Sequence, residues 1–231
     1  MKVKNKGAFD FFSKPSNYLN NNYSIEIRKN ILSKSLIKEN NYSILDLGCG
    51  DGSLSLPLLN KLNKLVCVDF SIEMLSIIER KVPAEFKDKI DVVHANITDF
   101  DYKDKFDVIL CFGVLAHVSS IKNLIEVIKN HSKSGTRVFV QFSDTNSCEH
   151  RLRSLFINKK PHSTHYINRM KGKEIKRMFN NECFVILKQT KYFGSSLGFT
   201  SISGTFGAFV QNFISKFSFF VGENIIEFEL K

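Results

Sequence analysis

The chain has 231 residues, enough for one domain with a substantial core, and a hydrophobic share of 43%, ordinary for a globular protein. No apolar run approaches the roughly 18 residues needed to cross a bilayer, and the first residues lack a signal-peptide core, so a cytoplasmic protein with no membrane span is expected. The formal net charge of +10 raises a nucleic-acid partner, but lysine is spread over the whole chain, and five scattered cysteines without a Cys-x-x-Cys pair read as free thiols.

Residues 1–40 read as an N-terminal helical lid carrying Tyr18 and Tyr23. An apolar strand at 44–47 then runs into Gly48, Gly50 and Gly52, which permit a tight turn and a close backbone approach to a ligand. The third glycine comes one residue too early for a dinucleotide fingerprint, where Ser53 stands, and no Gly-Lys-Ser/Thr follows to meet a nucleotide triphosphate. Asp46, just before the turn, is placed to meet a cationic group such as an amino acid's ammonium. A helix is expected over 53–62, a strand over 65–69 ending in Asp69, and a helix over 71–82 capped by Ser71. Asp69 lies where a nucleotide-binding α/β fold places its ribose-binding carboxylate.

Further strands are expected at 90–94, 106–112, 136–142, 183–190 and 224–230, with helices at 120–131 and about 171–181. Gly135 reads as the stop after the first of these helices, and the final strand as one returning antiparallel at the edge. Strands alternating with helices imply a parallel sheet covered on both faces. The polar stretch 143–170 breaks the alternation and holds His162, His165 and Tyr166. Phe206, Phe209, Phe213, Phe217 and Phe220 fall along one helical stripe, read as core packing, or as the wall of an apolar acceptor pocket or a membrane contact. Histidine spacing gives no metal site.

The segment Ile44-Leu-Asp-Leu-Gly-Cys-Gly-Asp-Gly52 resembles motif I of the class I S-adenosylmethionine-dependent methyltransferases, and residues 43–142 follow that family's order of motifs. The resemblance implies an α/β fold: a single doubly wound Rossmann-like domain over 41–231, with a mostly parallel seven-stranded sheet, an antiparallel last strand, and substrate-binding inserts at about 143–170 and 191–221. It implies S-adenosylmethionine as cofactor, S-adenosylhomocysteine as product and no metal. The cofactor would meet Asp46, Gly48, Cys49, Gly50, Asp69, Phe70, Met74, Asn96, Ile97, Cys111 and Phe112. Asn96 stands where the family usually has an aspartate that accepts from the adenine amino group; an amide carbonyl can accept the same bond. His117, His162, His165 and Tyr166 are the candidate catalytic residues, with Tyr18, Tyr23, His162, His165 and Tyr166 facing the acceptor.

The Asn/Asp-Pro-Pro-Tyr/Phe and Pro-Cys motifs of nucleic-acid base methyltransferases are absent. Base methylation is thus disfavoured, while Gly52-Ser-Leu-Ser-Leu-Pro57 and the polar insert after the fifth strand resemble small-molecule O-methyltransferases such as those acting on tetrapyrrole carboxylates, which implies a small-molecule acceptor methylated on oxygen (hydroxyl or carboxylate) or nitrogen. The alternatives are an RNA or protein acceptor, using the basic cluster Arg151, Arg153, Lys159, Lys160, Arg169, Lys171, Lys173, Lys176 and Arg177, and a non-catalytic cofactor-binding scaffold. A monomer or homodimer is expected.

Overall fold

A computed structural model describes residues 22–36, 41–151, 168–192 and 221–231. Tyr18, His162, His165, Tyr166 and the phenylalanine stripe at 206–220 lie outside these residues, as do Arg153, Lys159 and Lys160. Tyr23 falls within the first described helix.

In chain order the elements are α1 (Asn22–Ser35), β1 (Tyr42–Leu47), a 3-10 helix (Leu56–Lys61), β2 (Leu62–Asp69), α2 (Ile72–Lys81), a second 3-10 helix (Ala84–Lys89), β3 (Ile90–His94), β4 (Phe106–Phe112), α3 (Ile121–Asn130), β5 (Ser132–Ser143), α4 (Gly172–Asn181), β6 (Phe184–Tyr192) and β7 (Glu223–Leu230). The strands form one seven-stranded sheet in the order β3-β2-β1-β4-β5-β7-β6. Pairings among β1 to β5 are parallel, while β7 runs antiparallel to both β5 and β6.

The apolar spacing of the helices explains which face each covers. Leu124, Ile125 and Ile128 of α3 join Ile175 and Phe179 of α4 against Leu45, Val66, Ile109 and Val140 on one side of the sheet. Leu32 and Leu36 of the α1 segment and Leu75 and Ile78 of α2 pack on the other side, over Ile44, Leu110, Phe112 and Phe139. Alternate residues of each strand thus feed two cores, as a sheet sandwiched between helical layers requires.

Three local expectations are corrected. The helix anticipated over 53–62 is a six-residue 3-10 helix with Pro57 in its first turn, preceded by turn structure through Ser55; so short a run suits the tighter winding. Gly135 does not end a helix: α3 stops at Asn130, and Gly135, with φ of 82°, sits inside β5. The β4–β5 register slips between Phe106/Ser132 and Val108/Arg137, and the extra residues bulge out, which calls for left-handed backbone. Thr136 Oγ1 pins this bulge by donating to the Phe106 carbonyl at 2.6 Å. Finally, β7 is not the edge strand. Its residues Ile225, Ile226 and Phe228 are buried and it pairs on both sides, so β6, half exposed at Ile186 and Leu187, forms the edge.

Candidate cofactor and active site

The carboxyl ends of β1, β2, β4 and β5 share one edge of the sheet, the edge where open α/β sheets bind ligands. Asp46 lies there, 2% exposed, and its Oδ2 has no hydrogen-bond partner. Burial pushes its carboxyl up to about 7, the Ser55 hydroxyl pulling it back and the Asp69 charge adding to the rise. A buried acceptor left unpaired is costly, so this oxygen is built for a donor that is not part of the described protein.

The turn beyond Asp46 is shaped by protein contacts as much as by room for a ligand. Gly48 has φ of 76°, and a Cβ there would stand 2.1 Å from Val114 Cγ1. Gly52 has φ of 74°, and a Cβ there would stand 2.7 Å from Leu56 Cγ. The backbone N–H groups of Gly48 and Cys49 both donate to the Val68 carbonyl, at 2.8 and 3.1 Å, which welds the turn to the end of β2.

Asp69 completes that weld. Its Oδ2 accepts from Gly50 N and its Oδ1 from Ser71 N, both at 2.9 Å. Burial raises its carboxyl above the ordinary range, and these backbone N–H groups partly restore it. Each oxygen keeps a second lone pair, so a cis-diol can still be accepted. Ser71 caps α2 by accepting from Met74 N, which leaves Met74 buried under the same corner with Phe70 half exposed beside it.

Asn96 is committed locally. Its carbonyl accepts from Thr98 N and Thr98 Oγ1, and its amide donates to Asp99 at 2.8 Å. Short polar side chains compete for neighbouring backbone in this way, so an adenine contact here would share an acceptor already in use. Ile97 is buried in the core beside it.

At the end of β4, Cys111 is fully buried, and burial raises its thiol far above the usual range; burial does the same for Cys49, helped by neighbouring Cys67. Both are therefore neutral thiols. Phe112 shares a cavity with Asp46, Gly48 and Cys49. His117 lies half-buried in the turn after β4, its N–H donating to the Val114 carbonyl at 2.9 Å. Asn168 clamps this turn: its amide donates to the carbonyls of Leu115 and Val118, at 2.9 and 2.8 Å, and its N–H to that of Ala116.

Three contributors escaped sequence reasoning. Ile25 and Arg28 of α1 close over the Asp46 cavity, and Arg28 Nε donates to Tyr192 Oη at 2.9 Å, a contact spanning 164 residues that no local pattern announces. Asp51, also on that cavity, is engaged with Lys81 at 2.6 Å and with Ser53. Burial alone would raise its carboxyl; these partners outweigh burial and hold it below the usual range. A larger depression of about 490 Å³ beside Cys183 and Lys231 opens on the opposite edge of the sheet, away from these groups. Among the described residues no cluster of three His, Cys, Asp or Glu side chains could hold a metal, and no helix is long and apolar enough to cross a membrane. Within the basic cluster, Lys171 pairs with Glu174 and Lys176 donates to Gln189.

The strand order, the glycine turn behind Asp46 and the acid ending β2 together resemble those of a methyltransferase domain of the class I, S-adenosylmethionine-dependent type. Residues 44–135 match the family model described as "Methyltransferase domain". The chain is 31% identical over 101 residues to (S)-coclaurine N-methyltransferase of Papaver somniferum, an alignment covering 43% of this chain and 29% of that one. It is 33% identical over 102 residues to demethylmenaquinone methyltransferase of Clavibacter sepedonicus, covering 43% and 41%. The chain thus spans less than half the length of either relative. Among solved structures, magnesium protoporphyrin IX methyltransferase from Synechocystis PCC 6803, with bound SAH, superposes with a TM-score of 0.62 at 16% identity, covering 90% of this chain and 83% of that one.

Proposed function

We propose that this protein binds S-adenosylmethionine at the Asp46–Gly52 turn and transfers its methyl group to an oxygen or nitrogen of a small-molecule acceptor. The observation that carries this reading is Asp46 Oδ2, a buried acceptor without a partner on the wall of the cavity. Asp46 meets the cofactor's ammonium, Arg28 its carboxylate and Asp69 its ribose hydroxyls, with Phe70, Met74, Ile97 and Asn96 around the adenine. When bound, the cofactor supplies an electrophilic methyl on a sulfonium centre. The protein's part is placement: Phe112 lines the methionine end while the neutral Cys111 packs into the core on the other face of the sheet, α1 covers the site, and water is kept out, so the nucleophile is held in line. His117 is the candidate proton acceptor among the described residues. The named relatives, one N-methyltransferase and one quinone-pathway methyltransferase, support a small acceptor and leave its atom open.

Calorimetric titration with S-adenosylhomocysteine tests this. Saturable one-to-one binding is expected, weakened at least tenfold in Asp46→Asn; absence of binding to the wild type overturns the reading.

A further inference from the structure

A second buried acceptor stands unpartnered on the same face of the sheet as Asp46. Gln141 is 3% exposed and its Oε1 has no hydrogen-bond partner. Its amide orientation is set by chemistry: Nε2 donates to Glu223 Oε2 at 2.5 Å, and a carboxylate cannot donate back, so the carbonyl must point away from Glu223. Ser143 Oγ donates to the other oxygen of the same carboxylate at 2.5 Å. Both oxygens of Glu223 are thus occupied from β5, while Gln141 Oε1 is left over.

The register places this group next to the methionine end of the cofactor site. Asp46 pairs with Leu110, Leu110 with Phe139, and Phe112 with Gln141, so Asp46, Phe112 and Gln141 share one face on three adjacent strands. Phe112 also lines the Asp46 cavity. With neighbouring strands about 4.8 Å apart and Gln141 two residues, about 6.6 Å, further along β5 than the position level with Asp46, Gln141 stands roughly 12 Å from Asp46, on the side of Phe112 away from it. The sheet edge there is the carboxyl end of β5, continued by the start of β7.

We propose, resting on the methyltransferase reading above, that Gln141 and Glu223 form the acceptor subsite, and that it selects a small molecule presenting an N–H or O–H donor, an amine or hydroxyl, and rejects a carboxylate. A carboxylate has no proton to give Gln141 Oε1 and would face the charge of Glu223. An amine or hydroxyl satisfies the orphaned carbonyl, and a cationic amine is also favoured by that charge. This narrows the oxygen acceptors expected from the sequence, among which a carboxylate was included.

The test uses the full chain saturated with S-adenosylhomocysteine and three probes differing in head group: phenethylamine, catechol and phenylacetate. Calorimetry should detect phenethylamine or catechol, with phenylacetate at least tenfold weaker. Which of the first two binds tells amine from hydroxyl. In Gln141→Leu the preferred probe should weaken at least tenfold, with the S-adenosylhomocysteine Kd within twofold of wild type. That last readout confirms an intact fold. Gln141→Glu, which keeps an acceptor but sets a second carboxylate against Glu223, serves as the second variant and should weaken catechol more than phenethylamine. Binding of phenylacetate equal to the others, an unchanged Kd in Gln141→Leu, or no probe binding at all overturns the proposal. Failure of S-adenosylhomocysteine itself to bind would instead overturn the methyltransferase reading.

Discussion

Asp69, the last residue of β2, accepts a hydrogen bond from the backbone N–H of Gly50 at 2.9 Å, so the acid that ends one strand holds the glycine turn that ends its neighbour. The two motifs are therefore one structural unit. Asp69→Ala leaves the Gly50 and Ser71 N–H groups without their acceptor, at a cost of about 1–3 kcal/mol for each that stays buried. We expect a lowered urea midpoint together with at least tenfold weaker S-adenosylhomocysteine binding. Asp69→Asn, which keeps one acceptor oxygen, should lie between Asp69→Ala and the wild type on both scales.

Asp46 gives the protein a defined pH response. Its carboxyl is raised from 3.8 to about 7 in the folded state, so between these values the native protein holds a proton that the unfolded chain has released. Stability of the ligand-free protein should then fall as pH rises from about 4 to about 7, by at most about 1.4 kcal/mol per pH unit from this group. Binding of a ligand ammonium runs the other way, because it favours the charged carboxylate. The affinity for S-adenosylhomocysteine should rise with pH up to about 7 and then level off. Calorimetry between pH 5.5 and 8 in buffers of different ionisation enthalpy would detect the released proton, and Asp46→Asn should flatten the profile.

The parts of the site legible in the sequence are those written in consecutive residues. Asp46, the three glycines and Asp69 are fixed by strand ends and by turn chemistry within a few positions of each other, and their strands fall close to the expected ranges. Arg28, Gln141 and Glu223 were not legible, because their relationships run across 164 and 82 residues and depend on which strand becomes whose neighbour. The same cause misplaced β7. An alternating apolar strand at the end of a chain reads equally well as edge or interior until both partners are known. Asn96 shows the opposite case: Thr98, two residues on, takes up its side-chain carbonyl, a local effect that a motif position does not reveal.

Two glycines with nearly equal backbone angles separate the effect of strain from that of crowding. Gly48 and Gly135 have φ of 76° and 82°, but an added Cβ would meet Val114 Cγ1 at 2.1 Å in the first and nothing within 4 Å in the second. Gly135→Ala should cost about 1–2 kcal/mol, the ordinary price of left-handed backbone. Gly48→Ala adds overpacking of about 1–3 kcal/mol to the same strain. Urea denaturation of both variants checks the difference, and adding Val114→Ala should recover the crowding part in Gly48→Ala while leaving Gly135→Ala unimproved.

Arg137 ties the helix that covers the site to the sheet beneath it. Its Nε and Nη2 both donate to Glu227 Oε1, at 2.8 and 2.5 Å, and Nη2 also donates to the Ser35 carbonyl at 2.9 Å, the last residue of α1. The guanidinium stands over the Phe139 ring, 5.4 Å from its centre. Glu227 is 6% exposed, so removing the arginine strands a buried carboxylate and frees the end of α1 together. Breaking such a buried pair costs about 3–5 kcal/mol. Arg137→Met keeps the apolar stem over Phe139 but loses the pair, and should lower the urea midpoint accordingly. Because Ile25 and Arg28 reach the cavity from this same helix, the variant should also bind S-adenosylhomocysteine more weakly. Arg137→Met/Glu227→Gln removes the stranded charge without restoring the bond to Ser35. Its stability should recover in large part while its affinity stays low, and equal recovery of both would mean that α1 is held over the site by something other than Arg137.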